Sequence, residues 1–166
     1  LTYTGTSGIT LDSCKGNIFV SKNSIYIKGG GFYPTPIPAG NDLIIVNYSG
    51  SNALISNNFF MADFDSGLMY FGNSNNINVY YNSFSSINSV PLTINNSVLT
   101  AKNNIYVSSS TTNPVYRFDL INELSDYNNF YYSSPNIAVI NGLNISGLSQ
   151  LINVTNNDSH SVVRQT

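Results

Sequence analysis

Apolar and polar residues alternate along this chain in short runs, and the runs recur at a regular interval. The stretch from Leu99 to Tyr106 shows the unit: apolar Leu99 and Ala101 alternate with polar residues, two asparagines follow, and an aromatic residue comes two positions later. Alternation of this kind is typical of a β-strand with one buried face. Further copies of the unit begin at Ile18, Ala53, Ile77 and Glu123.

One asparagine in each copy marks the repeat. These anchors lie 35, 24, 22 and 24 residues apart by subtraction, and they are Asn23, Asn58, Asn82, Asn104 and Asn128. A period of roughly 20 to 50 residues is the signature of a solenoid. A second apolar run, such as Leu68 to Phe71, precedes each anchor, and no helical periodicity crosses the repeats. We therefore expect an all-β fold, a right-handed parallel β-helix solenoid of about six coils.

Stacking of successive coils places equivalent residues above one another. The aromatic or apolar residue after each anchor would form one internal column, which contains Ile25, Phe60, Phe84, Tyr106 and Phe130. The anchor asparagines can turn the chain in a left-handed conformation, and their stacked amides can hydrogen-bond along the axis. In the fifth coil either Asn128 or Asn129 can occupy the corner, so the register there stays open by one residue.

The domain organisation follows from the repeat. Residues 1–166 are expected to form a single β-helix domain that is part of a longer chain. Residues 28–41 form a Gly- and Pro-rich insertion, read either as a ligand-contact loop that presents Phe32 and Tyr33 or as a loop that only packs over one side of the solenoid. Residues 142–166 are a closing segment with a short helix or cap, for which Ser146 or Ser149 can be the N-cap.

Composition narrows the classes of partner. Only 8% of the residues are charged, whereas 27 are asparagine, and the formal net charge is -2. Such a chain lacks the basic face that nucleic-acid binding requires. No apolar run reaches the length of a membrane span. The single cysteine, Cys14, excludes a disulfide framework.

Candidate chemistry is sparse. Asp63 and Asp65 would share one face of a strand, where they can bind calcium or act as general acid and base in glycoside cleavage, with Arg117 or Lys102 as the basic partner. The alternative is an ordinary solvated turn. The only histidine, His160, follows Asp158 and Ser159 directly, and side chains adjacent in sequence would point in different directions rather than form a catalytic triad.

Two segments carry a resemblance to a known family. Ile77 to Phe84 and Leu99 to Tyr106 resemble the coil signature of the pectate-lyase-like right-handed β-helix superfamily. Leu124 to Tyr131, together with the later stretch Asp158 to Ser161, is similar to the closing coils of secreted and cell-surface bacterial β-helix proteins. The superfamily includes polysaccharide lyases, glycoside hydrolases, tailspikes and adhesins. The Gly-His-Gly stretch and the paired aspartates of its polygalacturonase-like members are absent from this sequence.

These observations lead to two functional expectations. The first is a non-catalytic extracellular module of a bacterial surface protein, such as an adhesin, filament or stalk, which contacts carbohydrate or a neighbouring surface protein. Its ligand contacts would be tyrosines, because aromatic faces stack on sugar rings: Tyr80 and Tyr81 first, with Tyr127, Tyr131 and Tyr132 on the same flank. The alternative is a polysaccharide lyase or glycoside hydrolase of the β-helix type. No cofactor is expected, apart from calcium in the enzyme reading.

Overall fold

The computed structural model describes residues 9–27, 44–47, 52–62, 68–87, 90–118 and 123–165, and these form three β-sheets and one helix. Sheet A contains, in spatial order, β1 (Ile9–Asp12), β4 (Ile44–Asn47), β7 (Met69–Gly72), β10 (Leu92–Asn95), β13 (Tyr116–Phe118), β16 (Ala138–Ile140) and β17 (Leu143–Ile145). Sheet B contains β2 (Asn17–Ser21), β5 (Asn52–Ser56), β8 (Ile77–Tyr80), β11 (Leu99–Lys102) and β14 (Glu123–Asp126). Sheet C contains β3 (Ser24–Ile27), β6 (Phe59–Ala62), β9 (Ser83–Ser86), β12 (Ile105–Ser108), β15 (Asn129–Tyr132) and β18 (Val162–Gln165).

Each coil contributes one strand to each sheet, and each strand pairs in parallel with its counterpart in the next coil. Five such coils are complete in the described residues. In the sixth, β16 is followed by antiparallel β17 and by helix α1 (Leu148–Thr155), and the chain then returns to sheet C as β18. The expected all-β parallel solenoid is therefore confirmed, with a coil count slightly below the expected six because the last coil lacks a strand in sheet B.

The internal columns have the expected register. Ile25 pairs with Phe60, and the column continues through Phe84 and Tyr106 to Phe130. The rings of Phe84 and Tyr106 stack with centroids 4.9 Å apart and planes 9° apart. All four aromatic residues of this column are at most 1% exposed. Stacked rings of this size supply much of the apolar burial that holds consecutive coils together.

The anchor asparagines form a continuous hydrogen-bonded ladder inside the corner between sheets B and C. In each step the backbone N–H and the side-chain Nδ2 of one asparagine donate to the Oδ1 of the asparagine in the next coil. For Asn82 and Asn104 the two distances are 2.9 and 3.1 Å, and for Asn104 and Asn128 they are 2.9 and 3.2 Å. Asn82, Asn104 and Asn128 are at most 1% exposed. The expected stacking of corner amides is confirmed.

The left-handed residue at this corner is not the one that we expected. The anchors themselves are not left-handed, and the turn is made by the residue directly before each anchor, with φ between 55° and 59°; these residues are Lys22, Asn57, Tyr81, Asn103 and Tyr127. The reason is geometric: one left-handed residue redirects the chain so that the next side chain points into the corner, where the ladder needs it.

The fifth coil resolves the open register in favour of Asn128. Leu99 pairs with Glu123 and Ala101 pairs with Ser125, so Ser125 points inward and Leu124 is 64% exposed. A serine is accommodated there because the buried carboxyl group of Asp158 lies beside it. The Ser125 hydroxyl donates to Asp158 Oδ1 at 3.0 Å.

The C-terminal segment closes the solenoid. A tight turn at Asn141 and Gly142, with φ of 49° and 79°, reverses the chain from β16 into β17. Helix α1 then covers the core with Leu151, which is 1% exposed. The N-cap is extended Gly147, so the expectation of Ser146 or Ser149 was wrong. Ser146 instead donates from its N–H and its hydroxyl to Gln150 Oε1, at 2.9 and 3.1 Å.

Candidate ligand-binding surface

The left-handed residues that precede the ladder form a line of outward side chains along the solenoid axis. We call this line the corner ridge, and it consists of Lys22, Asn57, Tyr81, Asn103 and Tyr127. Backbone hydrogen bonds hold it in register, for example from Tyr81 N–H to the carbonyl of Lys102 at 3.3 Å. Tyr81 is 61% exposed and Tyr127 is 50% exposed.

Tyrosine is an unusual choice for this conformation. A left-handed backbone costs an L-residue roughly 1–2 kcal/mol, and only glycine, asparagine and aspartate adopt it readily. Asn57 and Asn103 follow that preference, whereas Tyr81 and Tyr127 do not, although both have φ of 57°. Such outliers concentrate at functional sites. The ridge therefore keeps two aromatic side chains at positions where asparagine would fit the backbone better.

The sheet B strands present further polar groups beside the ridge. The Tyr80 hydroxyl donates to Asn78 Oδ1 at 2.8 Å, which fixes the ring of Tyr80 against the outer face of β8. Tyr80 is in register with Lys102, and Lys102 is in register with Asp126. A half-buried tyrosine, a cation and a carboxylate thus lie in one outward column next to Tyr81 and Tyr127.

His160 continues the ridge at its C-terminal end. Its ring stacks on Tyr127 with centroids 4.7 Å apart and planes 8° apart. Its Nδ1 lies 2.8 Å from Asp126 Oδ2, and its backbone N–H donates to Asp126 Oδ1 at 2.8 Å. Burial by itself would raise the pKa of Asp126, but the hydrogen bonds from His160 and from the Tyr127 N–H hold that pKa below its usual value.

This arrangement does not form a catalytic triad. The Ser159 hydroxyl lies 3.2 Å from His160 Nδ1, the same nitrogen that contacts Asp126. A triad requires the serine and the carboxylate to contact opposite nitrogens of the imidazole. Asp158, the third residue of the segment, points inward and is 1% exposed. Asp158 therefore points away from its neighbours as expected, whereas the side chains of Ser159 and His160 lie together.

Asp158 ends the asparagine ladder. Its Oδ1 accepts hydrogen bonds from Ser161 Oγ, Ser125 Oγ and Asn128 Nδ2 at 2.6, 3.0 and 3.2 Å. Burial raises the pKa of Asp158, while these three donors act in the opposite direction. The carboxyl group therefore serves as a structural acceptor inside the last coil.

The residues proposed from sequence are distributed over different places. Phe32, Tyr33, Asp63 and Asp65 lie outside the described residues. Arg117 is exposed on sheet A, in register with Thr93 and Val139, and is therefore on a different sheet from Tyr80.

The expected tyrosine flank is only partly a single surface. Tyr80, Tyr81 and Tyr127 lie together on sheet B and the corner ridge, whereas Tyr131 lies on the outer face of sheet C. There it lines a shallow pocket of about 340 Å³ with Val107 and three serines. Tyr132 is only 2% exposed, and its hydroxyl donates to the carbonyl of Ser146, so the assignment of Tyr132 to the flank was wrong.

Sequence reasoning missed the role of His160 in the ridge. The sequence did contain a signal, which is the polar stretch from Asp158 to Ser161 followed by the valines of β18. This order repeats the polar corner and the strand of the earlier coils, but without the asparagine. Ser161 Oγ accepts the Asn128 N–H at 2.9 Å, as the asparagine of a sixth ladder step would.

Three further findings bear on this surface. Within the described ranges, no group of three His, Cys, Asp or Glu side chains is arranged to hold a metal ion. In the same part of the chain, no helix combines the length and apolar character needed to span a membrane. Comparison of the chain with protein-family models, with curated proteins and with solved structures found no match.

Proposed function

We propose that this chain is a non-catalytic β-helical module of a bacterial secreted or cell-surface protein, such as an adhesin, filament or stalk, which binds carbohydrate along its corner ridge. The observation that carries the proposal is the presence of Tyr81 and Tyr127 at left-handed, exposed corner positions. The rigid scaffold of the ladder holds these rings in place. We also propose that the chain belongs to the pectate-lyase-like superfamily, because its coils resemble the signature of that superfamily.

The chemistry of the ridge suits sugars. Aromatic faces offer apolar stacking area, and the amides of Asn57 and Asn103 offer both donors and acceptors for hydroxyl groups. Tyr81 and Tyr127 are two coils apart, which corresponds to roughly 10 Å at the usual spacing between strands. Two rings at this separation suit two sugar units of one extended chain rather than a single monosaccharide.

The test uses a panel of immobilised glycans and the substitution Tyr81→Asn. Asparagine tolerates the left-handed backbone, so the variant should fold with equal or greater stability, by up to roughly 1 kcal/mol. Binding to any captured glycan should weaken about tenfold, because the loss of one stacked ring removes on the order of 1.5 kcal/mol of apolar contact. Tyr131→Asn, at an exposed tyrosine on sheet C, is the matched control and should bind as the parent does.

Two results would contradict the proposal. The first is equal binding by the parent and the Tyr81→Asn variant. The second is that the parent turns over a polysaccharide and that Asp63→Asn or Asp65→Asn abolishes this turnover. That result would establish the enzyme alternative in place of a binding module.

A further inference from the structure

The two ends of the solenoid core are closed to different extents. In the first coil Val20 is 7% exposed, whereas its counterparts Ile55, Val79 and Ala101 are 0% exposed. The other inward apolar residues of the first coil are only half-buried, and these are Ile9, Leu11, Ile18 and Ile25. At the opposite end Leu151 is 1% exposed beneath α1. Within the part of the chain that the structure describes, the core is therefore covered at its C-terminal end and open at its N-terminal end.

The asparagine ladder has the same polarity. Between successive asparagines the donation runs one way: each donates its N–H and Nδ2 to the next asparagine, and its Oδ1 accepts from the asparagine of the preceding coil. Asn23 donates its N–H and its Nδ2 to Asn58 Oδ1 at 3.0 and 2.9 Å, and a second Nδ2 hydrogen goes to the Ser21 carbonyl. Among the described residues no donor reaches Asn23 Oδ1. The ladder thus begins with a vacant acceptor, whereas Ser161 and Asp158 close its other end.

The N-terminal end of the solenoid also presents strand edges, as β17, β14 and β18 do at the opposite end. Among the described strands, β1, β2 and β3 are each at one edge of their sheet. A terminal strand presents a row of unpaired N–H and C=O groups, which can pair with another strand. All three sheets therefore offer a strand edge at the end where the core and the ladder are open.

The described ends of a second copy of the chain do not offer the donors that this end requires. The N-terminal end of another copy cannot supply a ladder donor, because the N–H and amide hydrogens of its Asn23 are already used. The C-terminal end cannot supply one either, because both the Ser161 N–H and its hydroxyl donate to Asp158. A partner that fits this end must present a backbone N–H and a side-chain amide at one corner. It must also point apolar side chains inward from three parallel strands.

We propose that the N-terminal end of the solenoid is an interface for one further β-coil of the same repeat, which carries asparagine at the ladder position and precedes the first coil in the same polypeptide. The incoming coil donates to Asn23 Oδ1, covers Ile18 and Ile25, and pairs with β1, β2 and β3. A covalently joined coil is favoured over a separate chain because consecutive coils are connected by short segments, which keeps the entropy of docking low.

The test adds such a coil. Residues 69–91, which contain β7, β8 and β9, are duplicated and inserted directly before Ile9; Ile9 and Leu92 occupy equivalent positions in sheet A, so the register is kept. The matched control carries Asn82→Ala in the inserted copy only. Hydrogen–deuterium exchange of β2 and β3 should slow about tenfold in the extended chain, and by clearly less in the control, as expected from loss of one side-chain donor.

The unaltered chain provides an independent measurement. Its β2 and β3 amides should exchange at least about tenfold faster than those of β8 and β12, because the first coil lacks a covering neighbour. Equal protection of the first and middle coils would overturn the proposal. Two other results would also overturn it. One is an inserted coil that proteases remove while the rest of the chain stays folded. The other is a dimer in sedimentation that protects β2 and β3, because a second copy would then be the occupant.

Discussion

Removal of one side chain from the middle of the asparagine ladder should destabilise the protein strongly. Asn104 is 0% exposed, and its Nδ2 donates to the Val79 carbonyl at 2.8 Å and to Asn128 Oδ1 at 3.2 Å. Its Oδ1 accepts from the backbone N–H and the Nδ2 of Asn82. The substitution Asn104→Ala therefore breaks four hydrogen bonds in a buried corner.

The magnitude follows from which groups lose their partners. Asn82 Nδ2 keeps its bonds to the carbonyls of Ile55 and Tyr80, but the Asn82 N–H is left buried without an acceptor. A buried orphaned donor costs about 1–3 kcal/mol, and each of the other lost hydrogen bonds contributes about 1 kcal/mol. We expect a loss of about 4–6 kcal/mol, which is a large share of the roughly 5–15 kcal/mol typical of a folded domain.

The assay is urea unfolding, followed by circular dichroism, of the parent and three variants. Asn103→Ala is the adjacent control: its side chain is exposed, so only the left-handed preference is lost, at about 1 kcal/mol. Asn23→Ala, at the open end of the ladder, should also cost much less than Asn104→Ala, because the Oδ1 of Asn23 accepts no bond from the described residues. If Asn104→Ala costs no more than these two controls, the ladder does not stabilise the solenoid as argued.

Three further predictions concern the core and the C-terminal end. Phe84→Ala should lower the unfolding free energy by about 3–5 kcal/mol, and a loss below about 1.5 kcal/mol would show that the stacked column is dispensable. Burial raises the pKa of Asp158 in the folded protein, so the free energy of unfolding should fall as the pH rises through that pKa. The substitution Asp158→Asn keeps an acceptor and should remove this pH dependence. A pH dependence that persists in the variant would contradict the assignment. The pKa of Asp126 is lowered in the folded protein, so the stability that Asp126 contributes should be present above pH 3.8 and be lost as the pH falls through the folded pKa. In an NMR titration, His160→Ala should raise the pKa of Asp126. An unchanged titration midpoint would refute the pairing of Asp126 with His160.

The architecture could be predicted from the sequence because the residues of each coil must match those of the neighbouring coils. A residue such as Phe84 must match Phe60 below and Tyr106 above, so one correct alignment fixes the register of every coil. The fifth coil was ambiguous because Ser125 faces the buried carboxyl of Asp158, a contact between residues 33 positions apart that no local pattern reveals.

The candidate surface was harder to predict for a related reason. Local pattern shows which residues belong to a corner, but not which of two adjacent residues takes the left-handed conformation. Tyr81 therefore looked like one of several interchangeable tyrosines until the backbone distinguished its exposed ridge position from that of buried Tyr132. The stacking of His160 on Tyr127 depends on the path of the closing segment, which the sequence does not specify.

The unusual composition follows from parallel stacking in register. In this architecture each side chain has its counterpart about 4.8 Å away in the next coil, so a charge repeated in every coil would face its own copies along the whole axis. An amide, in contrast, is both donor and acceptor, and attracts its copies. The charged residues accordingly interrupt columns rather than fill them: Lys102 lies between Tyr80 and Asp126, and Arg117 lies between Thr93 and Val139. The abundance of asparagine and the 8% of charged residues are therefore two consequences of the same geometric rule.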